Sequence, residues 1–236
     1  MGYGHGSPQK LDSKYPDRKI RQKKHFFAQS ILDWSVTNSP TYSWRNTSDP
    51  YLVLVAELLL RRTRAESVQD VYITFIKKFP SISVLSKSTI GDISSTIKSL
   101  GLLSRSHKIK SIAKQIVKQH NGIIPHSEDE LIKIIGSESH YTTNAVRCFA
   151  MDKRVPIFDV NVKRILERVF SINLGKSSHK NKLSWKIATS LLPAANIKQY
   201  NWAILDIGKS ICINNTPKCK ICPLRSICDY ALKQHR

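Results

Sequence analysis

The sequence predicts an all-α protein on three observations. Apolar residues recur at helical spacing in successive runs, the runs stop at proline and glycine breaks, and convincing apolar–polar strand alternation is absent. The chain's 236 residues and 41% hydrophobic content are enough for a real core, as one large domain or two small ones.

In chain order, residues 1–24 are polar and strongly basic around KIRQKK, and are expected as a disordered tail that adds electrostatic affinity. Phe26 to Val36 reads as a first helix, and TYSWRNTSD (residues 41–49) as an irregular aromatic and basic connector. Pro50 opens the run YLVLVAELLLRRT, with Asp49 placed to cap it and proline suited to its first turn. Up to Leu60 this helix is apolar all round apart from Glu57, so it should be central and buried. Burying a charged carboxylate there costs on the order of several kcal/mol, which points to a raised pKa and a chemical role, or else to a structural hydrogen bond. From Val68 to Gln119 short amphipathic helices are broken at Phe79-Pro80 and Leu100-Gly101, and Asn121-Gly122 with Pro125 makes another turn. Ser127 and Glu130 read as a capping box for a short helix ahead of Ser137. Ala145, Val146, Phe149 and Ala150 form the apolar stripe of the next one. Pro156 then breaks the chain, and Asp159 stands as a lone carboxylate before a helical run from Val162 to Phe170. It can cap that helix, or act as a catalytic group in a partly dry cleft; position alone leaves both open. A polar loop spans Asn173 to Lys182, and helices resume at Leu183–Leu192 and Trp202–Ser210.

Lys plus Arg is 38 against 17 Asp plus Glu, a net charge of +21. Such a surplus favours a polyanionic partner, most simply nucleic acid. Membrane binding is a poor rival, because no run of about 18 apolar residues exists and no signal-peptide pattern starts the chain; an intracellular, DNA-associated protein is expected. Of the five cysteines, Cys148 is alone on an apolar helix, where a buried thiol behaves as a small hydrophobe. The others form Cys212-x6-Cys219-x2-Cys222-x5-Cys228, with Lys218, Lys220 and Arg225 among them. Without a secretory signal a metal site is expected rather than disulfides. Thiolates at this spacing hold zinc or an iron–sulfur cluster. One tight pair with two outlying ligands suits a cubane better than zinc, whose structural sites use two tight pairs.

That cysteine pattern after an all-α domain resembles the endonuclease III and MutY-type DNA glycosylases of the helix-hairpin-helix superfamily. Three more stretches agree. WRNTSDPYLVLVAELLLRRT is similar to the family's PWR…DPY…E-x-x-L-x-x-T segment, residues 135–150 to its hairpin and following helix, and PIFDVNVKR to its D-x-N-V-x-R segment with the catalytic aspartate. The resemblance covers roughly residues 25–230. It implies a two-lobed fold with the active site in the cleft between: a six-helix barrel with the hairpin (45–164), a cluster-side lobe (25–44 and 165–210), and a [4Fe–4S] loop (211–236) held by Cys212, Cys219, Cys222 and Cys228.

The superfamily divides on one position upstream of the aspartate, here Tyr141. A lysine there attacks the sugar C1′ and cleaves the strand by elimination; tyrosine cannot. The expectation is therefore a monofunctional enzyme that leaves an abasic site. Tyr141 resembles the Mig-type thymine–DNA mismatch glycosylases, and so does Arg61-Arg62, where adenine enzymes of the MutY type carry Gln-Gln. The sequence ends soon after Cys228, without the added domain by which adenine enzymes read oxidised guanine. Together these favour excision of thymine or uracil opposite guanine. The alternatives are a MutY-like adenine glycosylase and a non-catalytic DNA-binding relative.

The roles implied are as follows. Asp159 stabilises the oxocarbenium-like sugar and positions or deprotonates water, supported by Asn161. Glu57 contacts the base edge, and Tyr141 stacks on the flipped base. Arg61 and Leu102 fill the gap in the duplex, Leu102 having an ordinary core role as its bland reading. The family hairpin L-P-G-V-G is Ile135-Gly136-Ser137-Glu138-Ser139 here. Serines in place of both glycines are expected to strain or reshape the turn, leaving the phosphate grip to Ser137, Ser139 and the Tyr141 and Thr142 N–H groups. The partner is double-stranded DNA with a mismatched or damaged base, bound by a monomer.

Overall fold

The structure, a computed structural model, describes residues 18–101, 104–136, 139–175 and 181–233. Leu102, Ser137 and Glu138 lie outside the described residues. Among the described residues there are twelve α-helices and no strand, as the periodicity predicts.

Helix α1 (Arg18–Asn38) begins inside the stretch expected as a disordered tail. Ile20 is fully buried and the Lys23 ammonium donates to the Val169 carbonyl (3.1 Å), which ties that basic turn to the protein body. Helix α2 (Pro50–Leu60) starts as predicted: Asp49 Oδ1 accepts the N–H groups of Tyr51 (2.7 Å) and Leu52 (3.4 Å). Its residues from Tyr51 to Leu59 are all buried except Leu52, because α3 (Ala65–Lys78) and α8 (His140–Phe149) pack on either side.

Helices α4 (Ile82–Lys87), α5 (Ile90–Thr96), α6 (Arg105–His120) and α7 (Glu128–Ile135) complete this lobe. Among the described residues it has seven helices. Thr89 starts a new helix with a reciprocal capping box to Asp92, splitting the run at Ser88. The capping box predicted at Ser127–Glu130 does not form. Ser127 occupies the N-cap position, but only its carbonyl bonds, to the Leu131 N–H (3.1 Å). Glu128, Asp129 and Glu130 favour that helix start through its dipole instead.

The apolar residues form two cores. The first runs from Trp44 to Ile157. The second joins α1 to α9 (Val160–Phe170), α10 (Lys182–Ser190), α11 (Ile197–Ser210) and the C-terminal loop with α12 (Asp229–Lys233). The chain passes between cores at Ile157–Phe158, so the apolar face of α9 belongs to the second core, where the 45–164 division had placed the start of that helix with the barrel. Helix α11 touches α1, α9 and α8, and so spans both lobes. Gly208 lets it approach α9: a Cβ there would stand 2.7 Å from Asn161 Cβ. A glycine inside a helix costs about 1 kcal/mol against alanine, and this contact is its compensation.

Candidate active site

The segment leading into Asp159 is held from both lobes by buried asparagines. Asn144 of α8 donates to the Pro156 carbonyl (3.1 Å). Asn201 of α11 donates to the Val155 carbonyl (3.1 Å) and accepts the Ile157 N–H (3.0 Å). Asp159 then caps α9. Its Oδ1 accepts the N–H groups of Asn161 (2.8 Å) and Val162 (2.8 Å), and its Oδ2 accepts Asn161 Nδ2 (2.7 Å). The cap reading is thus correct as structure. It does not exclude chemistry, since Oδ2 accepts a single bond and keeps acceptor capacity beyond it. Asn161 is itself oriented: its Oδ1 accepts Arg164 Nη2 (2.8 Å). Arg164 is pinned in turn by the Gly208 carbonyl (2.7 Å) and, through Nε, by the Cys212 carbonyl (2.7 Å). A continuous hydrogen-bond chain therefore runs from the cysteine loop to Asp159.

Glu57 projects from the middle of α2 and is only 5% exposed, and its Oε2 has no hydrogen-bond partner among the described residues. A buried polar atom without a partner marks a place for something not supplied by the fold. Burial pushes the Glu57 carboxyl up to about 8, against the opposing charge of Arg45. Tyr141, in the first turn of α8, packs against the first core. Burial, then the charges of Glu57 and Asp159, hold its hydroxyl well above its ordinary range. The charges of Glu57 and Asp159 thus both reach the Tyr141 hydroxyl.

Sequence reasoning missed the pair beside them. Arg45 donates both guanidinium nitrogens to Asp206 of α11 (2.8 Å each) and lies over the rings of Tyr42 (5.2 Å) and Trp202 (5.5 Å). Its Nε is also buried without a partner. Asp206 stands as a lone carboxylate in NWAILDIG, the signal that singled out Glu57, and could have been flagged by the same rule.

At the hairpin, the left-handed backbone falls on Gly136 (φ +116°), one residue before the two serines. Ser139 has φ −104° and takes no strain, correcting the expectation at that residue. Its hydroxyl donates inward to the Ile135 carbonyl (3.2 Å), and the Ser139 and Thr142 side chains are buried. What faces a ligand there is backbone: the N–H groups at the start of α8 have no acceptor within the helix. Arg61 and Arg62 are exposed just beyond α2.

Cys212, Cys219, Cys222 and Cys228 line one hollow, walled by Ile165, Val169, Ile211 and Leu224. Arg168 lies against it, Nη1 donating to Cys212 Sγ (3.4 Å). Among the described residues no three His, Cys, Asp or Glu side chains are grouped as a single metal ion would need. Cys148 is buried, and its sulfur accepts Asn201 Nδ2 (3.2 Å). No described helix is long and apolar enough to cross a membrane.

Comparison with known proteins agrees with this geometry. Residues 55–188 match the family described as HhH-GPD superfamily base excision DNA repair protein. The chain is 33% identical over 216 residues to a thymine/uracil-DNA glycosylase of Pyrobaculum aerophilum, covering 89% of this chain and 94% of the relative. It is 36% identical over 203 residues to an adenine DNA glycosylase of Buchnera aphidicola, covering 86% of this chain but 57% of the relative. In three dimensions it is similar to a thermostable thymine-DNA glycosylase (TM-score 0.80, 29% identity), over 91% of this chain and 99% of that one. It also shares its fold with endonuclease III trapped on DNA (TM-score 0.78, 19% identity). On this match the chain belongs to the HhH-GPD superfamily of base excision DNA repair proteins.

Proposed function

We propose that this protein is a monofunctional DNA glycosylase that hydrolyses the N-glycosidic bond of thymine or uracil opposite guanine. The observation that carries the reading is the presence of two carboxyl groups in different settings whose charges both reach Tyr141. Glu57 is buried with a raised pKa and an unpartnered oxygen, while Asp159 is oriented by three hydrogen bonds at a helix start. Two carboxyls whose environments differ in this way fit acid and electrostatic roles across one bond.

The target base must leave the stack before its glycosidic bond can be reached. Arg61 and Arg62, exposed just beyond α2, enter the duplex, and the N–H groups opening α8 take a backbone phosphate. The extruded base lies against Tyr141. Protonated Glu57 donates to the base edge, so that the leaving base departs with its charge neutralised. Asp159 faces the sugar, stabilises the oxocarbenium-like centre and orients the attacking water, with Asn161 and Arg164 fixing its rotamer. No amine stands at position 141 to form a Schiff base, so the strand is left intact.

The choice of thymine or uracil over adenine rests on Tyr141 and Arg61-Arg62, and on the near full-length match to thymine/uracil-DNA glycosylases. The test is a set of duplexes carrying G·T, G·U, A·G and A opposite oxidised guanine, with and without alkali. Breaks at T and U only, and only after alkali, are expected. Breaks at adenine would favour the adenine enzyme, breaks without alkali would show lyase activity, and no breaks at all would leave a DNA-binding protein.

The four cysteines fit a [4Fe–4S] cluster. They are soft donors around one hollow, and a cluster takes one thiolate at each iron rather than four at a single ion. When bound, the cluster supplies a structural staple that shapes the basic loop around Lys218, Lys220 and Arg225. Broad visible absorbance is expected in the purified protein and should vanish when Cys219 and Cys222 are replaced by alanine; a colourless zinc protein would contradict it.

A further inference from the structure

Helix α6 opens on Arg105, whose guanidinium is committed to the turn that carries Arg61 and Arg62. Nη1 donates to the Leu59 carbonyl (2.6 Å), and Nη2 donates to the Arg61 carbonyl (2.6 Å) and the Thr63 hydroxyl (3.0 Å). The Thr63 hydroxyl donates onward to the same Arg61 carbonyl (3.3 Å). Arg105 therefore satisfies carbonyls that the end of α2 leaves without helical partners. The turn it holds is a costly one, since Arg62 has φ +58°, a conformation that non-glycine residues keep only when their surroundings impose it.

The charges there are also uncompensated. Among the described residues no carboxylate pairs with Arg61, Arg62 or Arg105. Burial, then the charges of Arg61 and Arg62, lower the Arg105 pKa. Three guanidiniums without a carboxylate partner make a local positive field that suits an anion.

We propose that Arg105 is a positioning residue for base extrusion: it locks the 61–63 turn to the start of α6, so that Arg61 and Arg62 meet the DNA already set. This rests on the DNA-facing role given to those two residues above. One planar fork reaches two carbonyls and a hydroxyl, which a lysine ammonium on a flexible stem cannot reproduce. The charge and the geometry can therefore be separated by Arg105→Lys.

The experiment reads base extrusion directly, by the fluorescence of 2-aminopurine placed beside a G·T mismatch, together with single-turnover thymine release. Arg105→Lys should lower both by roughly 10-fold, with affinity for matched duplex near wild type and a modest fall in melting temperature from the weakened bonds to the Leu59 and Arg61 carbonyls. A double-mutant cycle then identifies the mechanism. With Arg61 and Arg62 both alanine, taken as one arm of the cycle, adding Arg105→Lys should cost little more, because the side chains it positions are gone. Wild-type extrusion by Arg105→Lys, or losses that add in the combined variant, would overturn the proposal, the second result marking Arg105 as a direct phosphate contact. If Arg105→Lys does not fold, Thr63→Val removes the shared hydroxyl and should give a smaller loss that is likewise absent when Arg61 and Arg62 are both alanine; no loss would count against the proposal. Extrusion without thymine release would refute the excision reading while still testing this one, and a reporter that stays stacked with the wild-type protein would refute both.

Discussion

Glu57→Gln should lose excision by roughly 10²–10⁴-fold, the span of a general acid, while making the protein more stable at alkaline pH. Both effects follow from one burial. The Glu57 carboxyl is pushed up to about 8 from an ordinary 4.5 by desolvation. Between those values the folded state holds a proton that the unfolded chain has released, so stability falls as pH rises through this window and levels off above it. Glutamine keeps the shape and never ionises. Above pH 8 the variant should therefore gain on the order of 5 kcal/mol over wild type, relative to their difference below pH 4.5. The wild-type excision rate should decline as pH rises through about 8, as the proton is lost from the group that donates it. Thermal melts at pH 6 and 9 and a single-turnover pH profile check these outcomes. A variant less stable than wild type at pH 9, or one that keeps its rate, would contradict the assignment.

The parts of the site carried by local sequence were legible, and the parts carried by distant partners were not. Asp49-Pro50 announces the start of α2 because cap and proline act within one turn, and the observed bonds to Tyr51 and Leu52 are those local ones. Asp159 with Asn161 and Arg164, and the four cysteines, lie in short spacings that local chemistry fixes. Arg45 and Asp206 are 161 residues apart, and nothing near either one specifies the other. The same holds for Asn144 and Asn201, which grip the backbone ahead of Asp159 from different lobes. Ser127 failed in the opposite direction: a local pattern was present, and three carboxylates in the same turn made its side-chain bond unnecessary. The hairpin serines were read as strained because glycine positions were carried over from a resemblance. Ser139 has an ordinary φ of −104°, and among the described hairpin residues the left-handed one is Gly136.

Asp159 decides between a structural and a catalytic reading of the whole site, because it is demonstrably an N-cap. Asp159→Asn separates the two. Asparagine is as good a cap as aspartate, so the bonds from the Asn161 and Val162 N–H groups survive in the variant. The bond from Asn161 Nδ2 is lost, because an amide nitrogen replaces the accepting oxygen, which costs about 1 kcal/mol of stability. The negative charge of the side chain is gone. If Asp159 only caps, excision should survive this change. If it also stabilises the cationic sugar, the rate should fall by roughly 10³-fold or more, with binding intact. The decisive measurement is single-turnover thymine release from a G·T duplex by Asp159→Asn, alongside its affinity for that duplex. Tight binding with no released base is the predicted result, and release at near the wild-type rate would contradict the account.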